Sequence, residues 1–175
     1  MGYVGIHSYQ PKEYRELLEF YEYASKVFAR AKHKKLIGYK AVFNQNGEYC
    51  EDCPLIVQID KTRYEISTTE DALVSLTTNT IDLKEEIVWL EEDNWTWQDS
   101  GLPILDKLIG HTINSISIIG LDYGDIGTEI HGILFNCVNN DNSFNLLIRT
   151  NFDKITLLSM YDDKTDEPKI EMKCY

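Results

Sequence analysis

The residues with the strongest potential for catalysis lie close together in the second half of the chain. Asp122 and Asp125 are followed by Glu129 and His131 within ten residues. Carboxylate oxygens and one imidazole can bind a divalent cation, which could activate water for hydrolysis. The spacing is not diagnostic, because alternation along a strand puts Glu129 and His131 on one face and leaves both aspartates in the loop. A metal-dependent hydrolase is therefore an alternative hypothesis, and a solvated acidic hairpin competes with it.

The four cysteines are Cys50, Cys53, Cys137 and Cys174. The spacing of the first two is that of half a tetrahedral zinc site, but no second pair of ligands stands at a recognisable spacing. A redox role would place such a pair at the start of a helix, whereas Pro54 and a strand-like run follow here. We expect four free thiols, no stoichiometric zinc and no cofactor.

Motifs of nucleophilic catalysis and of phosphate binding are missing from the sequence. It contains no GxSxG elbow and no Ser-x-x-Lys pair. The spaced glycines of 120–127 are followed by a strand-like run rather than by the helix that a dinucleotide fingerprint requires. The sequence therefore predicts a protein that is not an enzyme.

The strongest local bias is the acidic stretch 82–99, which contains all three tryptophans. Tryptophan provides a large apolar area, and clustered carboxylates add a negative field that attracts a basic partner. In the competing interpretation the tryptophans belong to the core and the acids face water. If the stretch is a recognition surface, at least one of Trp95 and Trp97 should be substantially exposed. The predicted partner-binding residues are Glu85, Glu86, Trp89, Glu91, Glu92, Asp93, Trp95, Trp97 and Asp99.

Charge and hydropathy restrict the partners and the location. Lys and Arg number 17 against 29 Asp and Glu, a formal net charge of −12 that repels phosphate backbones and anionic lipids. We expect neither nucleic acid nor a membrane as a partner. No apolar run approaches the roughly 18 residues of a membrane span. The first residues lack the basic and apolar segments of a signal peptide, so we expect a cytoplasmic protein.

An amphipathic helix is predicted over 11–35, because apolar residues recur there at helical spacing. Pro11 suits its first position, and Gly38 is expected to end it. Acids occupy its N-terminal half and bases gather at its C-terminal end, as the helix dipole favours. Since the dipole explains these bases, the sequence gives no reason to assign an anion site to them.

From Tyr39 onward the periodicity changes to two, which predicts antiparallel strands. The segment 83–90 fits either a short helix or an edge strand, and 103–109 fits a short helix. We therefore predict a single α+β domain over 1–175, with the N-terminal helix packed on antiparallel sheet. The predicted strands are 39–43, 49–50, 55–60, 64–67, 72–77, 112–120, 130–138, 144–150 and 154–160.

Two groups of these strands resemble each other. The segments 54–77 and 132–160 align as three-stranded meanders, the second with a longer turn. An internal repeat is one explanation, and chance similarity between strand-rich segments is the other. The alignment pairs Ile59 with Cys137, Thr68 with Thr150, Asp71 with Asp153 and Leu73 with Ile155.

An N-terminal helix, two strand blocks and an acidic tryptophan segment together resemble the small acidic immunity proteins encoded beside bacterial toxin genes. The resemblance is carried by 55–76, 133–160 and 82–99. It implies a non-enzymatic protein that neutralises a cognate toxin, often a basic nuclease, by covering its active site or a nearby surface. The remaining alternative is a structural or regulatory homodimer that pairs through an exposed sheet edge.

Overall fold

The computed structural model describes residues 3–69, 73–88, 94–140, 142–151, 154–159, 163 and 168–175. One helix, α1 (Leu17–Phe28), packs with two five-stranded antiparallel sheets, which confirms the predicted α+β class. The first sheet contains β1 (Leu36–Phe43), β2 (Leu55–Ile59), β3 (Thr62–Thr68), β4 (Val74–Thr78) and β5 (Thr96–Gln98), in the order β4-β3-β2-β1-β5. After the short helix α2 (Pro103–Asp106), the second sheet contains β6 (Thr112–Asp122), β7 (Thr128–Asn139), β8 (Asn142–Asn151), β9 (Lys154–Ser159) and β10 (Lys169–Lys173), in the order β10-β6-β7-β8-β9.

One hydrophobic core is shared by α1 and the inner faces of both sheets. Phe28 at the end of α1 stacks on Tyr64 of β3, with ring centroids 5.0 Å apart. The same ring meets Phe135 of β7 edge-on at 5.8 Å. Each of these aromatic side chains is buried, and such burial contributes roughly 1.5–3 kcal/mol per side chain. Among the described residues, no helix has the length and apolar character needed to cross a membrane.

The helix begins later than its sequence pattern predicts. Pro11 is not its first residue, because residues 9–12 have no regular secondary structure and Glu13 forms a bridge to the first sheet. There the N–H of Lys12 donates to the hydroxyl of Ser75 at 2.8 Å, and Glu13 forms a bridge with Ser75. Pairing with β4 therefore takes the place of the first predicted turns, and α1 starts at Leu17.

The end of the helix was also predicted wrongly. Gly38 lies inside β1, and the chain reverses earlier, at His33, which has a positive φ of 58°. A 3₁₀ turn at Ala29–Ala31 continues α1, and the N–H of Lys34 then donates to the carbonyl of Ala31 at 3.0 Å. The helical segment thus ends at Ala31, about two turns before the glycine.

The two sheets have the same topology, since in each a four-stranded meander is followed by a fifth strand that pairs with the first. The agreement extends to an irregularity of register. β1 is irregular between Leu36 and Gly38 opposite β2, and β6 is irregular between Ile113 and Ser115 opposite β7. A β-bulge at the same place in both sheets is hard to explain by shared strand composition alone.

The hydrogen bonds between the two halves are reciprocal. Lys35 and Thr112, which precede the bulges by equal steps, form an antiparallel bridge with each other. In one matched pair of bonds, His33 N–H donates to Ile113 O at 3.0 Å and Gly110 N–H donates to Leu36 O at 2.7 Å. In the other, Leu36 N–H donates to His111 O at 2.9 Å and Ile113 N–H donates to Lys34 O at 2.8 Å. These pairs are those of an approximate twofold axis beside the bridge, which relates the two halves.

The internal repeat stays a prediction, but the two sheets share a topology that extends beyond its segments 54–77 and 132–160. Its first two strands were aligned in the right register, since Ile59 pairs with Thr62 and Cys137 pairs with Phe144 at the same step of the ladder. The third strand was misaligned by one residue, and Asp71 and Asp153 lie outside the described residues. The ladders pair Thr68 with Val74 and Thr150 with Ile155, so Ile155 corresponds to Val74 and not to Leu73.

Two strands were not predicted. β5 and β10 are short and lie next to the first strand of each sheet, far from it in sequence. The described part of the segment predicted as a short helix or edge strand, 83–88, is neither helix nor strand. The predicted pairing at 49–50 is reduced to a single bridge between Phe43 and Tyr49.

Candidate functional site

The acidic tryptophan segment lies on the outer face of the first sheet. Trp97 pairs with Val42 of β1, and Trp95 is two residues earlier, so both side chains face away from the main core. They pack against a second apolar cluster that includes Val42, Ile56 and Ile87. Each tryptophan is partly covered by this cluster, so neither is fully buried or largely exposed. The expectation that at least one of them would be substantially exposed is therefore not met.

The N-terminal segment fixes the other wall of the site. Its residues Ile6 and Tyr9 are buried in the same cluster. The backbone N–H of Val88 donates to Gly5 O at 3.0 Å, which joins the chain beyond β4 to this segment. The segment 81–88 therefore takes its shape from its contacts and not from a regular secondary structure.

Together these segments form a depression of about 250 Å³, which we call the tryptophan pocket. Its floor is apolar and its rim carries two carboxyl groups, so it joins four of the residues predicted to bind a partner. The lining residues are Leu83, Glu85, Glu86, Ile87, Trp95, Thr96 and Trp97.

The two carboxylates of the pocket have different roles. Glu85 accepts hydrogen bonds from the backbone N–H of His7 and from that of Ser8, the latter at 2.9 Å. A side-chain hydrogen bond from Ser8 lowers the pKa of Glu85 although burial opposes it, and these backbone bonds lower it further. Glu86 is exposed and has no ion-pair partner within the described ranges. Glu85 thus anchors the wall, and Glu86 offers its charge to a ligand.

This arrangement suits a cationic side chain. An ammonium or guanidinium group over an indole face gains a cation–π interaction, and a neighbouring carboxylate adds a charge-assisted hydrogen bond. The alkyl part of a lysine or arginine can contact the apolar floor. The pocket therefore combines the groups that bind a cationic side chain.

The remaining predicted binding residues are more distant or not described. Asp99 follows β5, is exposed, and forms a salt bridge with Lys40 at 3.3 Å. Its charge is therefore partly neutralised on the protein itself. Trp89, Glu91, Glu92 and Asp93 lie outside the described residues.

The structure does not gather the candidate metal ligands. Asp122 accepts from the N–H of Gly124 at 2.9 Å, and Glu129 accepts from the hydroxyl of Tyr123 at 3.1 Å. His131 points elsewhere, and within the described parts of the chain no group of three or more His, Cys, Asp or Glu side chains could hold a metal. The hydrolase hypothesis loses the geometry on which it depended.

His131 instead belongs to a charged cluster that the sequence did not reveal. The side chain of Asp163 is fully buried and contacts Nε2 of His131 at 3.0 Å, Nζ of Lys169 at 2.9 Å and Nη1 of Arg149 at 3.5 Å. Burial opposes ionisation of Asp163, but hydrogen bonds from Lys169 and His131 outweigh it and lower its pKa. Burial also lowers the pKa of His131. The four residues come from three strands and a connection, so no local spacing could have indicated them.

The expectation of four free thiols was wrong for one pair. Cys50 and Cys53 form a disulfide, with Cα atoms 5.4 Å apart, and both are buried members of the apolar cluster that packs against Trp95 and Trp97. A bonded pair cannot act as two zinc thiolates. Cys137 is free and buried, and burial raises its pKa to about 12. That thiol is therefore unreactive near neutral pH.

Comparisons with models of known protein families, with curated proteins and with solved structures found no match. The functional assignment therefore rests on the geometry of the site.

Proposed function

We propose that this chain is a non-enzymatic binding protein whose tryptophan pocket receives a lysine or arginine side chain of a basic partner protein. The observation that carries the proposal is the convergence of Trp95, Trp97, Glu85 and Glu86 on one depression. Such a combination favours basic ligands both by contact and by long-range attraction, because the net charge is −12.

The specific form that we propose is an immunity protein that neutralises a basic toxin, for example a nuclease. Support comes from the acidic charge and from the resemblance in element order described above. A nuclease must attract phosphate, so its active site is surrounded by cations that an acidic inhibitor can cover. We also propose a cytoplasmic location, in which the Cys50–Cys53 bond would be exposed to a reducing environment. Counting free thiols in protein isolated under anaerobic conditions tests the proposed location separately from the binding function.

Isothermal titration calorimetry with a hexa-arginine peptide tests the binding function. Glu86→Lys reverses the free charge of the pocket, and Glu22→Lys makes the same change on the exposed side of α1. We expect Glu86→Lys to weaken binding about tenfold and Glu22→Lys to change it less than about threefold, since the second loses only long-range attraction. Equal weakening by both substitutions would show that the peptide senses net charge alone and would contradict the pocket.

The homodimer alternative has a defined surface, since β9 is at one edge of the second sheet and β4 is partly covered by Lys12 and Glu13. Pairing through β9 would need no tryptophan pocket. Sedimentation of the free protein at increasing concentration distinguishes the two functions, because only the dimer predicts a mass that doubles.

A further inference from the structure

A second concave site lies between the end of α1 and the adjoining ends of β3 and β4. Its cavity of about 220 Å³ is here called the basic pocket. Since β4 and β5 are at opposite edges of the first sheet, this pocket is separate from the tryptophan pocket. The lining residues are Lys26, Val27, Arg30, Thr62, Thr78 and Asn79.

The fold explains why these residues converge. Lys26 and Arg30 are four residues apart at the end of α1, so they project from the same side. Thr62 opens β3 and Thr78 closes β4, and the antiparallel pairing of these strands places the two ends together. The stack of Phe28 on Tyr64 holds the helix against this corner.

The pocket is rich in hydrogen-bond donors. The side-chain oxygen of Asn79 accepts the N–H of Arg63 at 3.0 Å, and its backbone N–H donates to Arg63 O at 3.2 Å. Because the side-chain oxygen of Asn79 already accepts this bond, its amide NH₂ group can donate to a ligand. The guanidinium, the ammonium and the hydroxyl group of Thr78 complete the set, whereas the hydroxyl group of Thr62 hydrogen-bonds Tyr64. No carboxylate lines the cavity, although the chain has 29 acidic residues.

The two cations are also available. Among the residues that the structure describes, no carboxylate forms an ion pair with Lys26 or Arg30, and Asp60, the acid of the neighbouring turn, lies 3.9 Å from Lys34. Helix-dipole complementarity accounts for bases in the last turn, as the sequence suggested. It does not account for two threonines and an asparagine from the sheet that face the same cavity.

We propose that the basic pocket binds a small phosphate-type oxyanion. Arg30 can engage two of its oxygens at once, Lys26 adds charge, and the hydroxyl and amide groups take the remaining oxygens. The cavity is smaller than the roughly 300–1,000 Å³ of typical small-molecule sites, which fits one phosphate group and not a whole nucleotide. Because both cations are exposed, the affinity should be modest, with a dissociation constant of about 1 mM.

Titrations followed by ¹H–¹⁵N NMR test this site with two probes, inorganic phosphate and O-phosphoserine, at constant ionic strength set with chloride. We expect saturable shifts of the Thr62, Thr78 and Asn79 amide signals. Tighter binding of phosphoserine would identify a phosphorylated molecule as the ligand, and equal binding would identify the free anion. Non-saturating shifts that chloride reproduces would overturn the proposal.

Substitutions distinguish specific binding of phosphate in the basic pocket from general attraction of phosphate to surface cations. Arg30→Gln should weaken phosphate binding about tenfold, whereas Lys35→Gln, which removes an exposed cation outside the pocket, should change it less than twofold. Thr78→Val keeps the charge and the shape and should weaken binding about threefold. Equal effects of Arg30→Gln and Lys35→Gln, or no effect of Thr78→Val, would contradict the assignment. The tryptophan pocket is untouched by these changes, so failure here leaves the proposed binding function intact.

Discussion

The outer faces of the two sheets can be compared strand by strand, because β1–β5 and β6–β10 follow the same order. On the first sheet, Val42 and Ile56 are covered by the N-terminal segment and the tryptophans. On the second sheet, the corresponding Ile119 and Leu134 form a small apolar cluster, and beside it the charged cluster of Asp163 spans three strands. The inner faces of both sheets remain apolar and share one core.

Side chains of different chemistry occupy equivalent positions on these outer faces. The shared register aligns Cys53 with His131, Ser67 with Arg149 and Trp95 with Lys169. Inward positions keep their character, as with Leu55 and Ile133. The core and the ladders thus maintain the frame, while the outer face of each half is free to acquire its own chemistry. This is why we assign recognition of a basic partner to the first half.

The largest effect should come from removing the charge at the centre of the second outer face. Asp163→Asn leaves Arg149 and Lys169 without their buried counter-charge and should lower the free energy of unfolding by about 3 kcal/mol, since both cations are partly exposed. Asp125→Asn, an exposed change in the same half, should cost less than about 0.5 kcal/mol. Urea denaturation at pH 7 measures both. Similar midpoints for the two variants would show that the cluster does not stabilise the fold.

A smaller loss is expected from the buried carboxylate of the first half. Glu65 has no cation among its described partners and accepts instead from the backbone N–H groups of Thr80 and Ile81 and from the hydroxyl groups of Thr77 and Thr80. Glu65→Gln keeps one acceptor oxygen and should cost about 2 kcal/mol. Glu171 is exposed on the second sheet and accepts one hydrogen bond, from the hydroxyl of Ser117. Glu171→Gln should therefore cost less than about 0.5 kcal/mol. The same denaturation assay decides, and equal costs would contradict this account of Glu65.

The twofold relation predicts opposite responses at two equivalent turns. Gly110 has a φ of 90° and His33 has a φ of 58°. Gly110→Ala should destabilise the protein by about 1 kcal/mol, because a Cβ is strained there. His33→Gly should be neutral or slightly stabilising, since it relieves the same strain at the cost of chain entropy. Two losses of equal size in thermal unfolding would mean that the turns are not conformationally equivalent.

The smallest predicted effect is a pH dependence confined to the second half. The pKa of His131 is lowered by burial, and Arg149 and Lys169 lower it further while Asp163 opposes them. The unfolded chain therefore binds a proton more readily than the folded protein does, and stability should fall as the pH drops below about 6.5. His131→Gln should reduce this slope between pH 7.5 and 5.5 in urea denaturation. The pKa of Asp163 is also lowered in the folded protein. Below about pH 4 the unfolded chain therefore takes up this proton more readily, and stability falls further as the pH drops.

Much of the frame was predictable because inward and outward residues alternate. Two-residue periodicity located the meander strands, and the sequence alignment of β2 with β7 has the same residue equivalences as the two ladders. The long-range edge strands were missed, although Ile170 and Met172 alternate with charged residues in β10. The helix start was misplaced because its first residues pair with β4, a tertiary contact that overrides local pattern.

The sites were predictable only where their residues are close in sequence. The tryptophan segment was visible as a local bias, and the structure joins Glu85 and Glu86 to Trp95 and Trp97. The cluster around Asp163 was not visible, since its cations come from strands that approach only in the folded sheet. The bases at the end of α1 were visible, but the donors that face them come from the ends of β3 and β4.

The central claim is that the tryptophan pocket itself receives a basic side chain, and the indole N–H signals of Trp95 and Trp97 report on it directly. In a ¹H–¹⁵N NMR titration with hexa-arginine, we predict that both signals shift saturably together with the amides of Glu86 and Thr96, while the amides of β7 and β8 stay unchanged. Shifts spread over all acidic surfaces, with both indole signals unmoved, would contradict the claim.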